Sequence, residues 1–159
     1  MKSPEAVPSR SAGCPSDDDF LRLDQQVCFP LYAASNALTR AYRPVLAPLD
    51  LTYPQYLVML VLWERDGLSV GDLGQRLRLD SGTLTPLLKR MEAAGLLSRQ
   101  RASDDERRVE IHLTESGRTL RQAAIAVPPQ MLCAMGLSID ELKSLKAGLE
   151  SLLDRLDAG

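Results

Sequence analysis

The sequence predicts a mainly α-helical chain with a small β wing, that is, a dimeric winged helix-turn-helix. Three patterns carry this prediction. Apolar residues repeat at helical spacing in the middle of the chain, at Leu84, Leu87, Leu88 and Met91. A strictly alternating run, 107–113, follows this helix as a half-buried strand would. A shorter amphipathic segment precedes the helix at the distance expected of a helix-turn-helix.

Composition limits the class of protein. The chain has 159 residues, 45% of them hydrophobic and 25% charged, which suits one globular domain or one protomer of a dimer. Residues 1–19 are rich in proline, serine and acidic residues and predict a disordered tail, so that a single domain spans 20–159. No apolar run resembles a membrane span or a signal peptide, which predicts a cytoplasmic protein without membrane contact. Three cysteines, an odd number, argue against a structural disulfide framework.

The first helical segment is predicted from Phe20 to Leu46. Pro30 lies within it and is expected to bend it, because proline removes one backbone hydrogen bond. Cys28 lies close to this bend among apolar neighbours, and from these residues alone it is either an inert buried thiol or a reactive one. The segment Thr52 to Gln55 forms a capping box that opens a helix predicted to reach Trp63.

The predicted DNA-binding region covers about residues 69–113. Ser69 caps the shorter helix, and Asp80 or Ser81 caps the recognition helix, which ends at Gly95. Pro86 by itself favours a later start for the recognition helix, with the preceding threonine as the cap. The helix would bury its apolar stripe and present its polar face to a major groove. The candidate contacts on that face are Ser81, Thr83, Thr85, Lys89 and Arg90.

Charge favours contact with DNA in the same region. Eight basic and five acidic side chains lie between Arg76 and Arg108, whereas the whole chain has 19 and 21, so the remainder is acidic. The hairpin residues Arg99, Arg101 and Arg108 are either phosphate contacts or solvated charges. An ordinary solvated helix and hairpin is the alternative interpretation. The single histidine, His112, has no second ligand at metal-binding spacing, so neither a metal nor another cofactor is expected.

The C-terminal third is predicted to be helical and to contribute to a dimer interface. Thr114 caps a helix that runs toward Val127, where Pro128 and Pro129 break it. Ser138 opens the last helix with a capping box. Its leucines repeat at steps of three and four residues, at Leu142, Leu145, Leu149, Leu152 and Leu156. The two terminal helices together carry more apolar stripe than a small winged-helix core needs, which favours a homodimer.

Longer motifs resemble a known family. The run DERRVEIHLTESG, residues 105–117, resembles the wing signature of the MarR family of bacterial transcriptional regulators. The runs LDQQVCFPLY (23–32), LTYPQYLVMLVLWE (51–64) and LDSGTLTPLLKR (79–90) resemble the organic hydroperoxide sensors of that family, called OhrR. The resemblance covers nearly all of the chain after the tail. It implies a dimeric winged helix whose recognition helix starts before Pro86.

The resemblance also implies roles for individual residues. Cys28 stands at the position of the peroxide-reacting cysteine. Tyr42 and Tyr53 stand at the positions of two tyrosines that hydrogen-bond this cysteine, and Tyr32 matches a third tyrosine nearby. Such phenolic hydroxyls can donate hydrogen bonds to a thiolate, which is the nucleophilic form of cysteine.

Two further assignments follow from the resemblance. Cys133 stands at the position of the resolving cysteine of the two-cysteine OhrR subgroup, whose disulfide joins the two subunits. Without the family, its neighbours Leu132 and Met131 favour a buried structural thiol. In the wing, Arg107 would enter the minor groove and Asp105 would orient it.

These roles imply a redox-sensing repressor. The reduced homodimer would bind a pseudo-palindromic operator in double-stranded DNA and leave it when organic hydroperoxide oxidises Cys28. One alternative is a regulator of the same family that responds to a small aromatic ligand. The second is an enzyme, a thiol peroxidase, which is disfavoured because no arginine adjoins Cys28 and because the wing would have no role.

Overall fold

The structure is a computed structural model that describes residues 21–101 and 108–158. The tail expected to be disordered, with Cys14, and the wing residues Asp105 and Arg107 lie outside these ranges. The chain divides into two compact units, Met1–Leu38 and Thr39–Gly159.

The first unit contains a short 3-10 turn, Leu23–Gln25, and the start of helix α1, Cys28–Leu46. The expectation of a continuous helix bent at Pro30 is therefore wrong, because Gln26 has an extended backbone that separates the turn from α1. Pro30 is the third residue of α1. Backbone N–H groups in the first turn of a helix have no partner inside it, so a proline there removes no helical hydrogen bond.

The second unit holds the end of α1, where Pro44 lies inside the helix. A 3-10 turn, Ala47–Leu49, leads to helix α2, Tyr53–Glu64. The capping box predicted at its start is confirmed, since the Thr52 N–H donates to Gln55 Oε1 over 2.8 Å. The apolar run of α2 is mostly buried and forms the centre of the core, with Val58, Met59 and Leu62 each at most 1% exposed.

The winged helix-turn-helix follows in the order that the sequence predicted. Its elements are β1 (Leu68–Ser69), α3 (Val70–Leu77), α4 (Ser81–Ala93), β2 (Leu97–Arg101) and β3 (Val109–Leu113). The three strands form an antiparallel sheet in the order β1-β3-β2, with Leu97 opposite Leu113 and Arg101 opposite Val109. Strand β1 was not predicted, because two residues are too few to show an alternating pattern.

The core of the winged helix is built by the residues whose spacing predicted it. Leu84, Leu87, Leu88 and Met91 of α4 are all buried, and Ile111 and Leu113 of β3 are buried on the same sheet face as Leu97. Gly95 has a φ of 73°, a left-handed conformation that glycine adopts without steric cost, and it separates α4 from β2 as predicted.

The C-terminal part consists of α5 (Glu115–Ala124), α6 (Val127–Met135) and α7 (Ile139–Asp157). The predicted break at Pro128 and Pro129 is confirmed, and both prolines lie in the first turn of α6. The capping box at Ser138 is also confirmed. Helix α7 has no buried residue, and its leucines are exposed or only half-buried.

Among the described residues, no single helix combines the length and the apolar composition needed to cross a membrane; the segments Cys28–Leu49 and Tyr53–Glu64 meet these criteria only jointly, as a bent pair. Within residues 21–101 and 108–158, no group of three or more His, Cys, Asp and Glu side chains could hold a metal ion.

Candidate nucleic-acid interface and cysteine sites

The recognition helix begins at Ser81, earlier than Pro86 alone would favour and as the family resemblance implied. Asp80 is its cap: Asp80 Oδ1 accepts from the Thr83 N–H over 2.8 Å, and Asp80 Oδ2 accepts from the Thr83 hydroxyl over 2.9 Å. These hydrogen bonds lower the pKa of Asp80. The cap therefore fixes the first turn of the helix and engages one of the predicted DNA contacts.

The polar face of α4 is accessible along most of its length. Ser81, Thr83, Lys89 and Arg90 are exposed, and Thr85 is half-buried. The buried leucines of the opposite face hold this surface outward, because an amphipathic helix orients its polar side chains away from the side that packs. The five candidate contacts thus share one surface of the second unit.

The base of the wing is tied to the recognition helix by Glu92. Its carboxylate accepts from the Arg99 backbone N–H over 3.0 Å and from Arg99 Nε over 2.7 Å. The hydrogen bonds from the Arg99 side chain and backbone lower the pKa of Glu92. Arg99 is one of the hairpin arginines that were predicted to be phosphate contacts or solvated charges. Its Nε is hydrogen-bonded to Glu92 and therefore holds the wing against α4.

The other two hairpin arginines lie closer to the wing tip. Arg101 is exposed at the end of β2. Arg108 donates to Glu110 Oε1 over 3.1 Å, and Glu110 Oε2 is 3.4 Å from His112 Nε2. The predicted minor-groove pair, Asp105 and Arg107, lies between them and outside the described residues.

Asp66 joins the winged helix to α5, a role that the sequence pattern did not reveal. Its Oδ1 accepts from the backbone N–H groups of Gly67 and Leu113, and its Oδ2 accepts from Arg118 Nη2 over 2.8 Å. Burial acts to raise the pKa of Asp66, but the hydrogen bonds from Leu113, Arg118 and Gly67 outweigh it and lower that pKa. The Asp-Gly pair signals a turn in the sequence, but it does not reveal these distant partners.

The turn between α3 and α4 contains Arg78, a second residue whose role the sequence pattern did not reveal. Arg78 has a φ of 53°, a left-handed conformation that is costly for a residue with a Cβ atom. Its guanidinium pairs with Asp157 of α7 and lies 4.0 Å from Asp154. The helix-turn-helix is therefore in electrostatic contact with the last turns of α7.

Two predicted site residues of the second unit, Tyr42 and Tyr53, lie together. Their rings stack with centroids 4.4 Å apart, and Tyr56 adds a third ring 5.9 Å from Tyr42. Burial, followed by the neighbouring Tyr53 and Tyr56, raises the pKa of Tyr42 to about 12. Burial also raises the pKa of Tyr53. Both phenols therefore remain protonated hydrogen-bond donors at neutral pH.

Cys28 and Cys133 are accessible in the single chain. In the first unit, Cys28 is exposed at the first residue of α1, and Tyr32 follows on the same helix face with 69% of its side chain exposed. In the second unit, Cys133 lies on α6 and is exposed, whereas Met131 is buried. Neither cysteine is the buried core thiol that its apolar neighbours favoured.

Comparison with known proteins identifies the family. A family model described as transcriptional regulator SarA/Rot matches residues 40–124. The chain is 52% identical over 141 residues to the HTH-type transcriptional regulator TtmR of Methylorubrum extorquens, covering 89% of this chain and 72% of TtmR. It is 49% identical over 138 residues to the organic hydroperoxide resistance transcriptional regulator of Bacillus subtilis, covering 87% of this chain and 94% of that protein. The chain belongs to the OhrR-type group of MarR-family regulators.

Solved structures of AbfR from Staphylococcus epidermidis are similar to this OhrR-type chain. The reduced AbfR bound to DNA has a TM-score of 0.71 at 36% identity, covering 87% of this chain and 96% of AbfR. The disulfide form of AbfR has a TM-score of 0.59 at 33% identity, covering 89% and 94%. The relatives are transcriptional regulators, so this OhrR-type protein is a regulator and not an enzyme such as a thiol peroxidase.

Proposed function

We propose that this OhrR-type regulator is a repressor that binds operator DNA as a reduced homodimer and leaves it when an organic hydroperoxide oxidises Cys28. The observation that carries the proposal is the exposed Cys28 at the start of α1, in a chain 49% identical to an organic hydroperoxide resistance regulator. A thiol at this position is open to a small oxidant.

DNA binding is supported by the outward polar face of α4. Lys89 and Arg90 supply charge for phosphates, and Ser81, Thr83 and Thr85 supply short polar groups for base edges or the backbone. The wing would add Arg107 to the minor groove, with Asp105 orienting it. AbfR, a similar protein, has been solved on DNA in its reduced form. A dimer carries two such faces, so a pseudo-palindromic operator with two half-sites is expected.

Dimer formation is supported by the apolar side chains left uncovered. Leu145, Leu149 and Leu153 of α7 are 51%, 37% and 39% exposed in the single chain. In the first unit, Val27 and Phe29 are also exposed. Single exposed leucines are normal on a protein surface, but a repeated stripe along one helix is typical of a surface that a partner covers. We assign that partner as a second copy of the chain.

The proposed sensing reaction needs no cofactor. The Cys28 thiolate attacks one peroxide oxygen, the O–O bond breaks, and the alkoxide takes a proton and leaves as an alcohol, so Cys28 is oxidised to a sulfenic acid. The Cys133 thiolate of the other subunit then attacks the Cys28 sulfur, the S–O bond breaks, and the departing hydroxide takes a proton from solvent to become water as the disulfide forms. Tyr42, Tyr53 and, as a third phenol, Tyr32 would donate hydrogen bonds to the Cys28 sulfur.

The cysteine roles are tested by mapping thiols and measuring operator binding after one equivalent of an organic hydroperoxide. Wild type should give a peptide that links Cys28 to Cys133, a reducible covalent dimer on a denaturing gel, and loss of operator binding. Cys28→Ser should keep binding after peroxide. Cys133→Ser should lose the covalent dimer while Cys28 is still oxidised, and Cys14→Ser serves as the matched control.

Three outcomes would contradict this scheme. Release of DNA by peroxide from Cys28→Ser would move the sensing group elsewhere. Normal release and recovery in Cys133→Ser, without a linking peptide in wild type, would make this a one-cysteine sensor. If wild type shows no fast reaction with peroxide, a regulator of the same family that responds to a small aromatic ligand becomes the better hypothesis.

The wing assignment has its own test. Arg107→Ala should weaken operator binding by about 1 to 3 kcal/mol without loss of fold, because it removes a guanidinium from the minor groove. Arg121→Ala is the matched control, since Arg121 is an exposed arginine of α5 outside the predicted DNA-binding region. Equal affinities for the two variants at physiological salt would contradict a wing contact.

A further inference from the structure

Four aromatic side chains form a continuous row in the second unit. Tyr53 stacks on Tyr42 with centroids 4.4 Å apart, and Tyr42 lies 5.9 Å from Tyr56. Tyr56 meets the edge of Trp63 at 6.4 Å. The two longer separations fall in the range of about 4.5 to 7 Å that is typical of attractive aromatic pairs, and the Tyr42–Tyr53 stack lies just below it. The row therefore connects the two tyrosines of the proposed sensing site to the C-terminal end of α2.

The far end of this row is anchored by a hydrogen bond. The indole Nε1–H of Trp63 donates to the backbone carbonyl of Gly117 in α5 over 2.9 Å. Gly117 is buried, and Trp63 is half-buried. This bond joins residues that are far apart in the sequence, and it is not one of the capping bonds of α2 or α5.

The first turn of α5, which contains Gly117, is hydrogen-bonded to the base of the wing. The Gly117 N–H donates to Thr114 Oγ1, and Thr114 Oγ1 donates to the carbonyl of Gly95 over 2.6 Å. The Thr114 N–H donates to the carbonyl of Leu96, next to the first residue of β2. A Cβ atom on residue 117 would lie 2.1 Å from that Leu96 oxygen, so α5 and the wing base are in contact here without free space.

We propose that Trp63 is a positioning residue that carries a displacement of Tyr42 and Tyr53 to the base of the wing. The inference rests on the proposed function, in which oxidation of Cys28 changes the hydrogen bonds that these tyrosines make. Packed side chains pass on a shift where no space is available to absorb it, as at the contact between Gly117 and Leu96. Among the described residues, the Trp63–Gly117 hydrogen bond joins the end of this row to α5, and the bonds from Thr114 to Gly95 and Leu96 hold that end of α5 at the base of β2.

Trp63→Phe tests this role, because phenylalanine keeps an aromatic ring in the row but has no N–H donor. Reduced Trp63→Phe should bind operator DNA nearly as wild type does. After one equivalent of an organic hydroperoxide, its Cys28 should be oxidised to the same extent, but the increase in its Kd should be smaller than that of wild type by about fivefold or more. Arg121→Gln, an exposed change on α5, is the matched control and should release DNA as wild type does.

A second measurement uses the native side chain. Trp63 is the only tryptophan of the chain, so its fluorescence reports on this position alone. Peroxide should change its emission in the wild type and leave it unchanged in Cys28→Ser. This measurement also decides the matter if Trp63→Phe does not fold.

The two proposals fail in different ways. If mass spectrometry shows oxidised Cys28 and the operator is released, but Trp63→Phe releases it equally or Trp63 emission stays constant, the positioning role is overturned and the sensing function stands. If wild-type Cys28 is not oxidised, the sensing function is overturned and the positioning role with it.

Discussion

The recognition helix α4 and the last helix α7 have the same kind of apolar stripe, but only one of them is covered by its own chain. In α4, Leu88 and Met91 are 1% and 0% exposed, and the helix packs against α2, α3 and β2. In α7 no residue is buried. The apolar face of α4 is thus covered within one chain, whereas the apolar face of α7 is not.

The difference shows what an amphipathic pattern can establish. The hydrophobic effect is non-directional. An amphipathic pattern therefore predicts that the apolar face of a helix is buried, but it does not identify the element that buries it. For α4 the covering elements are adjacent in sequence. For α7, the apolar pattern does not identify the covering element, and we propose that a second copy of the chain covers it.

The largest effect is expected in the core of the recognition region. Leu88→Ala should lower the free energy of unfolding by about 2 to 5 kcal/mol, because it removes buried methyl groups and leaves a cavity. Leu60, a leucine of α2 that is 37% exposed, provides the control, and Leu60→Ala should cost clearly less. Urea unfolding of both variants measures the difference. Equal losses would contradict the view that α4 is covered by its own chain.

The second prediction concerns α7 and tests the dimer. Leu149→Glu should leave the winged helix folded but weaken self-association by roughly tenfold or more, since burying a leucine contributes about 1.5 to 3 kcal/mol. Sedimentation equilibrium measures the dissociation constant. Ser144→Glu adds the same charge at an exposed polar position of α7 and should change it little. If both variants associate as wild type does, the leucine stripe is not the interface.

The same contrast explains which features the sequence could predict. Caps, the recognition helix and the β3 alternation depend on residues within one or two turns of each other, and they were predicted correctly. The predicted start of α1 was wrong, because the helical periodicity of the sequence continues through Gln26, whereas the backbone of Gln26 is extended. Strand β1 exists only through its pairing with β3, which no local pattern encodes.

The candidate site divides in the same way. Its residue types and the polar face of α4 could be predicted. The links from Asp66 to Arg118, from Trp63 to Gly117 and from Arg78 to α7 could not, because each joins residues distant in sequence through a single geometry. The stacking of Tyr42 on Tyr53 likewise depends on how α1 and α2 approach each other.

A smaller effect is expected from matched cap changes in the two regions. Thr114→Ala should cost about 0.5 to 2 kcal/mol of unfolding free energy, as N-caps do. The loss should lie toward the upper end, because the Thr114 hydroxyl accepts from the Gly117 N–H and also donates to the Gly95 carbonyl. Ser138→Ala removes a cap from the uncovered helix α7 and should cost less. Urea unfolding of the two variants checks this order, and a larger loss for Ser138→Ala would reverse the comparison.

The smallest effect is expected at alkaline pH, and it arises in the aromatic row rather than in α7. Burial raises the pKa of Tyr42 from 10.0 to about 12, so in this interval the unfolded chain has lost the Tyr42 proton while the folded chain still holds it. Linkage then requires the folded state to lose stability as pH rises from 10 toward 12, and to be unaffected by this group below pH 10. Tyr42→Phe should make that loss shallower, and Tyr53→Phe should act in the same direction because burial raises the pKa of Tyr53 as well. Urea unfolding at a series of pH values measures the slope. If the slopes of both variants match that of wild type above pH 10, the two phenols ionise as freely in the folded chain as in the unfolded one, and the stacked pair does not shelter them from water.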